Sequence, residues 1–387
     1  MRWRIAVVGA GVAGLASAVG LHRGGHDVTV FEERTDTSSG AGISIWPNAL
    51  AALDRLGLGD AVRAVGGRIT AGAARWHDGS WLRRPEPERI VRALGEPLVV
   101  VQRWALRDIV AGALPVGAVE YGLAATDVAT TGAAVRLQFS DGSARTFDAV
   151  IGADGTHSVV ARQLNGPLQQ RYVGYTAWRG VAAYAMDPDL AGKTLGPGVE
   201  TGHVPMGPGL TYWFATERAP AAQRSPEEEL AYLRAKFARW AEPLPSILAA
   251  TAAADVLRDD LYDRTPARRW ARGPIVLVGD AAHPMRPHLG QGGCQGLEDA
   301  AILAAFIDQA PDPATAFARF ESFRRRRVTS VVRESAWLGK AINVRSDLLS
   351  SLVSRSTAMV PEVVLMRHLA SIAARTAFAL PGAGARR

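Results

Sequence analysis

Two hydrophobic periods alternate along this chain, and their order predicts its architecture. Residues 4 to 9 (RIAVVG) form a short unbroken apolar run closed by glycine, which reads as a buried strand. A small-residue helix is predicted from about Ala13 to Arg23, then a second strand, DVTVFE, from Asp27 to Glu32. A strand-helix-strand unit of roughly 30 residues is what a nucleotide-binding half-fold requires.

The stretch from Gly40 to Asn48 (GAGISIWPN) is expected to be a Gly-rich loop, with a helix over Ala49 to Leu58. Short strand candidates rich in Pro and Arg occupy residues 70 to 99, and a helix begins near Arg103 (RWALRDIVAGAL). A hairpin turning at Asp141-Gly142 leads into a third core strand ending at Asp154. The pattern then changes. From about 166 to 264 the apolar positions alternate, as in GYTAWRGVAAY and LTYWFAT. A helix follows from Ser225 to Trp240, where Ser225 and Glu228 are spaced as a capping box and Pro226 takes the first helical position. After Pro274 the first kind of strand returns (IVLVGD), and beyond Gly290 the chain reads as mostly helical. An α/β nucleotide-binding domain is thus interrupted by a smaller β-rich domain and then resumed.

Composition narrows the function classes. The 387 residues, 48% apolar and 21% charged, are those of an ordinary globular chain of two or three lobes. The single cysteine, Cys294, excludes an internal disulfide and a multi-thiolate site, and the eight histidines show no metal-ligand spacing. No metal is expected. The charge of +7 raises a nucleic-acid partner, but the arginines are scattered. Their one block, Arg324 to Arg327, lies in a helical pattern and is expected to be a solvated face, so no nucleic-acid partner is called. No run of eighteen apolar residues predicts a transmembrane helix, and the N-terminus lacks a signal-peptide pattern. A cytoplasmic location is expected, as monomer or homodimer.

The chemistry is carried by two constellations. Gly9-x-Gly11-x-x-Gly14 follows the first strand and opens the first helix. Gly9 permits the tight turn, Gly11 lets backbone approach a pyrophosphate, and Gly14 lets helix and strand pack closely. The helix N-terminus adds free N–H groups and positive potential. Glu32, at the end of the second strand, is placed to accept ribose hydroxyls, with Glu33 as the alternative. This pattern does not distinguish FAD from NAD. The second constellation runs Gly279-Asp280-Ala281-Ala282-His283, Pro287, Gly290-Gln291-Gly292-Gly293, Glu298-Asp299-Ala300. A strand ends in an acid that can hold a polyol hydroxyl, a Pro-rich loop crosses, and Gly-rich backbone starts a helix.

GDAAHPMRPHLGQGGCQGLEDA resembles the ribityl-binding motif of the FAD-dependent aromatic hydroxylases, single-component flavoprotein monooxygenases that include 4-hydroxybenzoate and salicylate hydroxylases. Gly152-Ala153-Asp154-Gly155-x-x-Ser158 is similar to that family's DG motif, and Arg103 to its arginine at the FAD diphosphate or ribityl chain. The resemblance implies a Rossmann-like FAD-binding domain over 1–69, 100–165 and 265–330. It also implies a substrate domain over 70–99 and 166–264, and a helical C-terminal region over 331–387. Gly9, Gly11, Gly14, Glu32, Gly42, Arg103, Asp154, Asp280, Gly290, Gly292 and Gly293 then become non-covalent FAD contacts. One departure stands out: the DG motif's closing arginine is replaced by Ala161, with Arg162 next. A second Gly-rich fingerprint is absent, so NADH or NADPH is expected to dock transiently.

By this resemblance the chain is a monooxygenase that uses NAD(P)H and O2 to hydroxylate a small aromatic or heteroaromatic substrate through a C4a-hydroperoxyflavin. No side-chain nucleophile is required. Trp46, Trp178, Arg179, Tyr212, Trp213 and Pro287 are the substrate-pocket candidates. A flavin epoxidase or a urate-type purine hydroxylase is the alternative, and a flavoprotein without oxygenation is the alternative of a different class.

Overall fold

A computed structural model describes residues 1–35, 41–221, 224–342, 344, 346–356 and 359–381. Its central sheet has six strands, in the order Ala271–Arg272, Ile275–Leu277, Ala149–Gly152, Arg4–Val8, Asp27–Glu32, Val119–Tyr121. All neighbours pair in parallel except the first two. The apolar runs read from the sequence are its middle strands, which explains their lack of alternation: helices cover one face and a three-stranded sheet the other. The Val12–Arg23 helix packs on this sheet beside Gly292–Gln309, so the first and last thirds of the chain share one core.

A seven-stranded sheet holds the alternating segments. Its order is Leu257–Arg264, Gln170–Ala182, Thr211–Glu217, Val199–Pro205, Gly192–Gly196, Ala73–Trp76, Trp81–Arg83. The Pro226–Phe237 helix covers its back face, with the capping box formed by Ser225 and Glu228. The hairpin at Asp141-Gly142 is present, joining Ala134–Phe139 to Ala144–Phe147.

Two local expectations need correction. Most of the supposed Gly-rich loop is a strand, Gly42–Ile45, paired antiparallel with Leu98–Gln102, which also pairs with Gly67–Ile69. Pairing overrides the glycine content because Ile43 and Ile45 supply the β-branched positions; Gly40 lies outside the described residues. The following helix starts earlier, at Pro47, whose missing N–H is tolerated in a first turn.

The second correction concerns the arginine block. Arg324 is only 1% exposed. Its guanidinium meets Glu298 at 2.6 Å and Asp299 at 2.7 Å. Arg327 also reaches Glu298, at 2.8 Å, and donates to the Ile372 carbonyl. These arginines therefore bind the Pro313–Ile342 helix to its neighbours. A helix lying across another must turn some of a four-residue block inward, whatever its charge.

Candidate active site

The Gly-rich turn sits at the C-terminal edge of the parallel strands, where strand ends and helix starts leave a crevice. Gly9 has φ +103°, and a Cβ there would lie 2.5 Å from the Ala153 carbonyl. Gly14 packs helix on strand: its Cβ would meet the Gly9 carbonyl at 2.0 Å. Gly11 has open space where its Cβ would stand and, as N-cap, offers no side-chain hydrogen bond, so the helix N–H groups face the crevice.

Glu32 braces this turn. One carboxylate oxygen accepts the Ala10 N–H at 2.7 Å and the other the Arg34 N–H at 3.0 Å. Glu33 is exposed on the same rim. Gly9, Gly11, Glu32, Glu33, Arg103 and Asp154 line one cleft of about 540 Å³. Arg107, one turn beyond Arg103, lines it too and donates to the Ala10 carbonyl at 3.3 Å. Its helical spacing from Arg103 was the signal that could have found it.

Asp154 faces two ways. One oxygen accepts the Val159 N–H at 2.7 Å, securing the Val159–Asn165 helix, while the other is shielded and has no partner. Burial raises its pKa. Within this helix Ala161 is buried on the core side, and Arg162 is exposed, reaching back to the His157 carbonyl.

A second cavity, about 380 Å³, shares Gly11, Arg103 and Arg179 with the first and continues toward the seven-stranded sheet. Asp280 stands exposed on its wall, in a single turn of 3-10 helix. Gly290, Gly292 and Gly293 start the long helix there, again without a side-chain cap. That turn is clamped from behind: Asp299 accepts the Gly279 N–H at 2.9 Å and binds His283 at 2.6 Å. His283 is thus structural. Gly42 also lines the cavity, and its missing side chain makes room for the Tyr212 ring, 2.7 Å from where a Cβ would be.

The front face of the seven-stranded sheet closes the cavity with Ala177, Arg179, Glu200, Tyr212, Phe214 and Thr216, opposite Pro287 and His288. Trp178 and Trp213, expected to line the pocket, belong instead to the other face. They are 1% and 0% exposed in the core beneath the Pro226–Phe237 helix. Their indole N–H groups donate to Glu229 at 2.7 Å and to Thr251 at 3.0 Å. Adjacent residues on a strand point to opposite faces, so Tyr212 and Trp213 cannot both see the cavity. The same period in the sequence places Phe214 and Thr216 beside Tyr212. Trp46 also falls outside the lining; it packs among Met285 and Leu289, with its N–H unpartnered near Gly290.

Electrostatics distinguish the two ends of this cavity. Arg179 pairs with Asp259 at 2.9 Å on the neighbouring strand. At the other end Glu200 is fully buried between Lys193, at 2.5 Å, and His288, at 2.9 Å. Burial pushes Glu200 up, but Lys193 and His288 outweigh it and hold the carboxyl at about 2. Glu200 lies in a strand, Val199–Pro205, with no motif, and nothing in the sequence marks it. His203 faces the back of the sheet, where burial and the Arg75 charge lower its pKa to about 4. The Cys294 thiol is pushed up to about 12 by burial, and is inert. Among the described residues no group of three or more metal-ligating side chains converges.

The sequence matches the FAD binding domain family over residues 2–335. The chain belongs to that family. It is 38% identical to 3-amino-4-hydroxybenzoate 2-monooxygenase from Streptomyces cremeus, over 88% of this chain and 88% of that protein. It is 32% identical to the FAD-dependent urate hydroxylase of Klebsiella pneumoniae, over 84% and 87%. The crystal structure of Klebsiella pneumoniae HpxO with FAD and uric acid superposes with a TM-score of 0.89 at 27% identity, over 95% of this chain and 96% of that one. The chain is an FAD-dependent monooxygenase. No described helix is long and apolar enough to cross a membrane.

The crevice fits this cofactor on its own geometry. Gly11 leaves space for a pyrophosphate beside uncapped N–H groups, and an exposed carboxylate, Asp280, follows along the same wall. A flat ring has glycine backbone to lie against at Gly290 to Gly293.

Proposed function

We propose that this flavoprotein hydroxylates a small aromatic or heteroaromatic ring that carries O–H or N–H groups, with NADH or NADPH and dioxygen as co-substrates. The observation that carries this reading is the junction of the two cavities. A cleft suited to a dinucleotide opens at Gly11 and Arg103 into a chamber walled by Tyr212, Phe214 and Glu200.

When bound, FAD supplies electron transfer from the pyridine nucleotide and oxygen activation. The protein's own residues do the rest. Gly9, Gly11, Gly14 and Glu32 shape the adenosine end, Arg103 spans both cavities, and Asp280 holds the polyol arm. Gly292 and Gly293 present N–H groups to the ring end, where negative charge would be stabilised. Tyr212 and Phe214 hold the substrate ring in place, and their side chains exclude water. Glu200, ionised, has about four lone-pair sites, of which Lys193 and His288 use two. It can accept a hydrogen bond from the ring's O–H or N–H.

The test is NAD(P)H oxidation by FAD-loaded enzyme over a panel of aminophenols, hydroxypyridines and purines, with labelled dioxygen and mass spectrometry of products. Stimulation by ring compounds with label in the product supports the proposal; oxidation that no ring compound changes, with no label, defeats it. A urate-type purine substrate is the second reading, supported by the similarity to the HpxO structure. It requires stimulation by purines alone. Label in an alkene's epoxide would favour the epoxidase instead.

A further inference from the structure

The charges around the chamber are unequally available to a ligand. Three arginines line it: Arg103, Arg179 and Arg286. Arg179 is paired with Asp259 at 2.9 Å. Arg286 makes two bonds to Asp263, at 2.9 and 2.5 Å, and also donates to the Tyr175 hydroxyl. Arg103 makes no ion pair with a described residue, but it stands where the two cavities join, and the diphosphate of a bound cofactor would pair with it. With the cofactor seated, none of the three is left to receive an anionic ring.

Glu200 is the opposite case. Its carboxylate lines the chamber, while the cation that balances it does not. Lys193 reaches Glu200 from the adjacent strand, at 2.5 Å, and donates also to the His288 carbonyl at 3.2 Å. His288 gives Nδ1 to Glu200 at 2.9 Å. Its Nε2 is buried without a partner and turned toward the Pro313–Ile342 helix. A Cβ on Gly339 of that helix would lie 2.5 Å from this Nε2 and 2.9 Å from the Tyr175 hydroxyl, and neither Gly339 nor Tyr175 lines the chamber. A ligand at this end therefore meets acceptor oxygens and no donor. An O–H, N–H or amide can bond there, whereas a second carboxylate brings a like charge into a buried corner and loses its own hydration.

We propose that the chamber selects rings by charge, favouring uncharged rings that donate hydrogen bonds and disfavouring the corresponding ring carboxylates. This rests on the ring-hydroxylating reading and narrows its substrate class.

Isothermal titration calorimetry of the FAD-loaded full chain, without NAD(P)H, tests it. The probes are 3-amino-4-hydroxybenzoate and 3-amino-4-hydroxybenzamide, which share a shape and differ in charge, with 2-aminophenol as the same ring lacking the carboxyl carbon. The amide should bind wild type at least ~10-fold more tightly than the benzoate, since like charges brought together are penalised. Glu200→Gln removes the fixed charge and leaves Lys193 without its carboxylate, so the ratio should fall to about 1 or invert. The wild-type ratio needs no variant, and decides the matter if far-UV circular dichroism shows that Glu200→Gln disturbs folding. A benzoate that binds wild type as tightly as the amide would overturn the proposal, as would a ratio that a folded Glu200→Gln protein leaves intact. Failure of all three rings to bind, 2-aminophenol included, is a different result: it would overturn the ring-hydroxylating reading itself, and charge selection with it.

Discussion

Replacing Arg324 with methionine should destabilise the protein by about 3–5 kcal/mol near neutral pH, the range for removing one partner of a buried ion pair. The size follows from what stays behind. Glu298 and Asp299 are both buried, and Arg324 serves one through Nη1 at 2.6 Å and the other through Nε at 2.7 Å. Arg327 and Asn48 still reach Glu298, and His283 and the Gly279 N–H still reach Asp299, so neither carboxylate is left bare. Burial pushes both carboxyls up. In Glu298 the Arg324 and Arg327 charges outweigh it, and in Asp299 His283 and Arg324 do, so both lie below their ordinary values. That part of the stability is fully present above the unfolded carboxylate range and is lost as pH falls through the folded values.

In the variant burial meets less opposition, both carboxyls rise, and protonation relieves the buried charge at a higher pH. The deficit relative to wild type should therefore shrink between about pH 8 and about pH 5. Urea unfolding followed by circular dichroism at the two pH values measures it. A deficit under about 1 kcal/mol at the higher pH, as for a surface pair, or one that widens toward acid, would refute the reasoning. Because Asp299 also clamps Gly279 beside Asp280, flavin should be released at lower urea in the variant.

Other substitutions separate the roles of individual residues. Asp280→Ala should raise the FAD Kd by about 10–100-fold, the loss of a hydrogen bond to a charged group; flavin fluorescence titration reads this, and unchanged affinity removes Asp280 from the polyol arm. Glu200→Gln should leave FAD binding unchanged and raise the substrate KM by about tenfold; a selective loss of flavin would place Glu200 in the scaffold instead. Trp178→Phe should lower stability by about 1–3 kcal/mol, because buried Glu229 loses the indole N–H at 2.7 Å, while kcat/KM stays within a factor of two or so. A large loss of kcat/KM in a stable Trp178→Phe protein would return that residue to the pocket.

Several features are legible in the sequence alone. The Gly9-x-Gly11-x-x-Gly14 turn, the parallel-strand runs and the Ser225 capping box are local rules, where a few neighbouring residues decide the geometry, and they stand in the structure as read. Gly42–Ile45 was misjudged because glycine content is a weak signal beside the pairing supplied by Leu98–Gln102, more than fifty residues on. The arginine block misled for the same reason: whether Arg324 meets water or Glu298 depends on which side of its helix another helix lies.

The sequence by itself determined the kind of site, since a crevice at strand ends follows from motif, strand and helix in order. It also held the parity that separates Tyr212 from Trp213. Only the tertiary structure decided which parity faces the cofactor, because a strand's two faces are equivalent until something packs on one. The Pro226–Phe237 helix took the side of Trp178 and Trp213, which left Tyr212, Phe214 and Glu200 to the cavity. Glu200 illustrates the limit best: its charge survives burial through Lys193 and through His288, a residue 88 positions away. Coulombic pairing depends on distance in space, and no pattern along the chain encodes that.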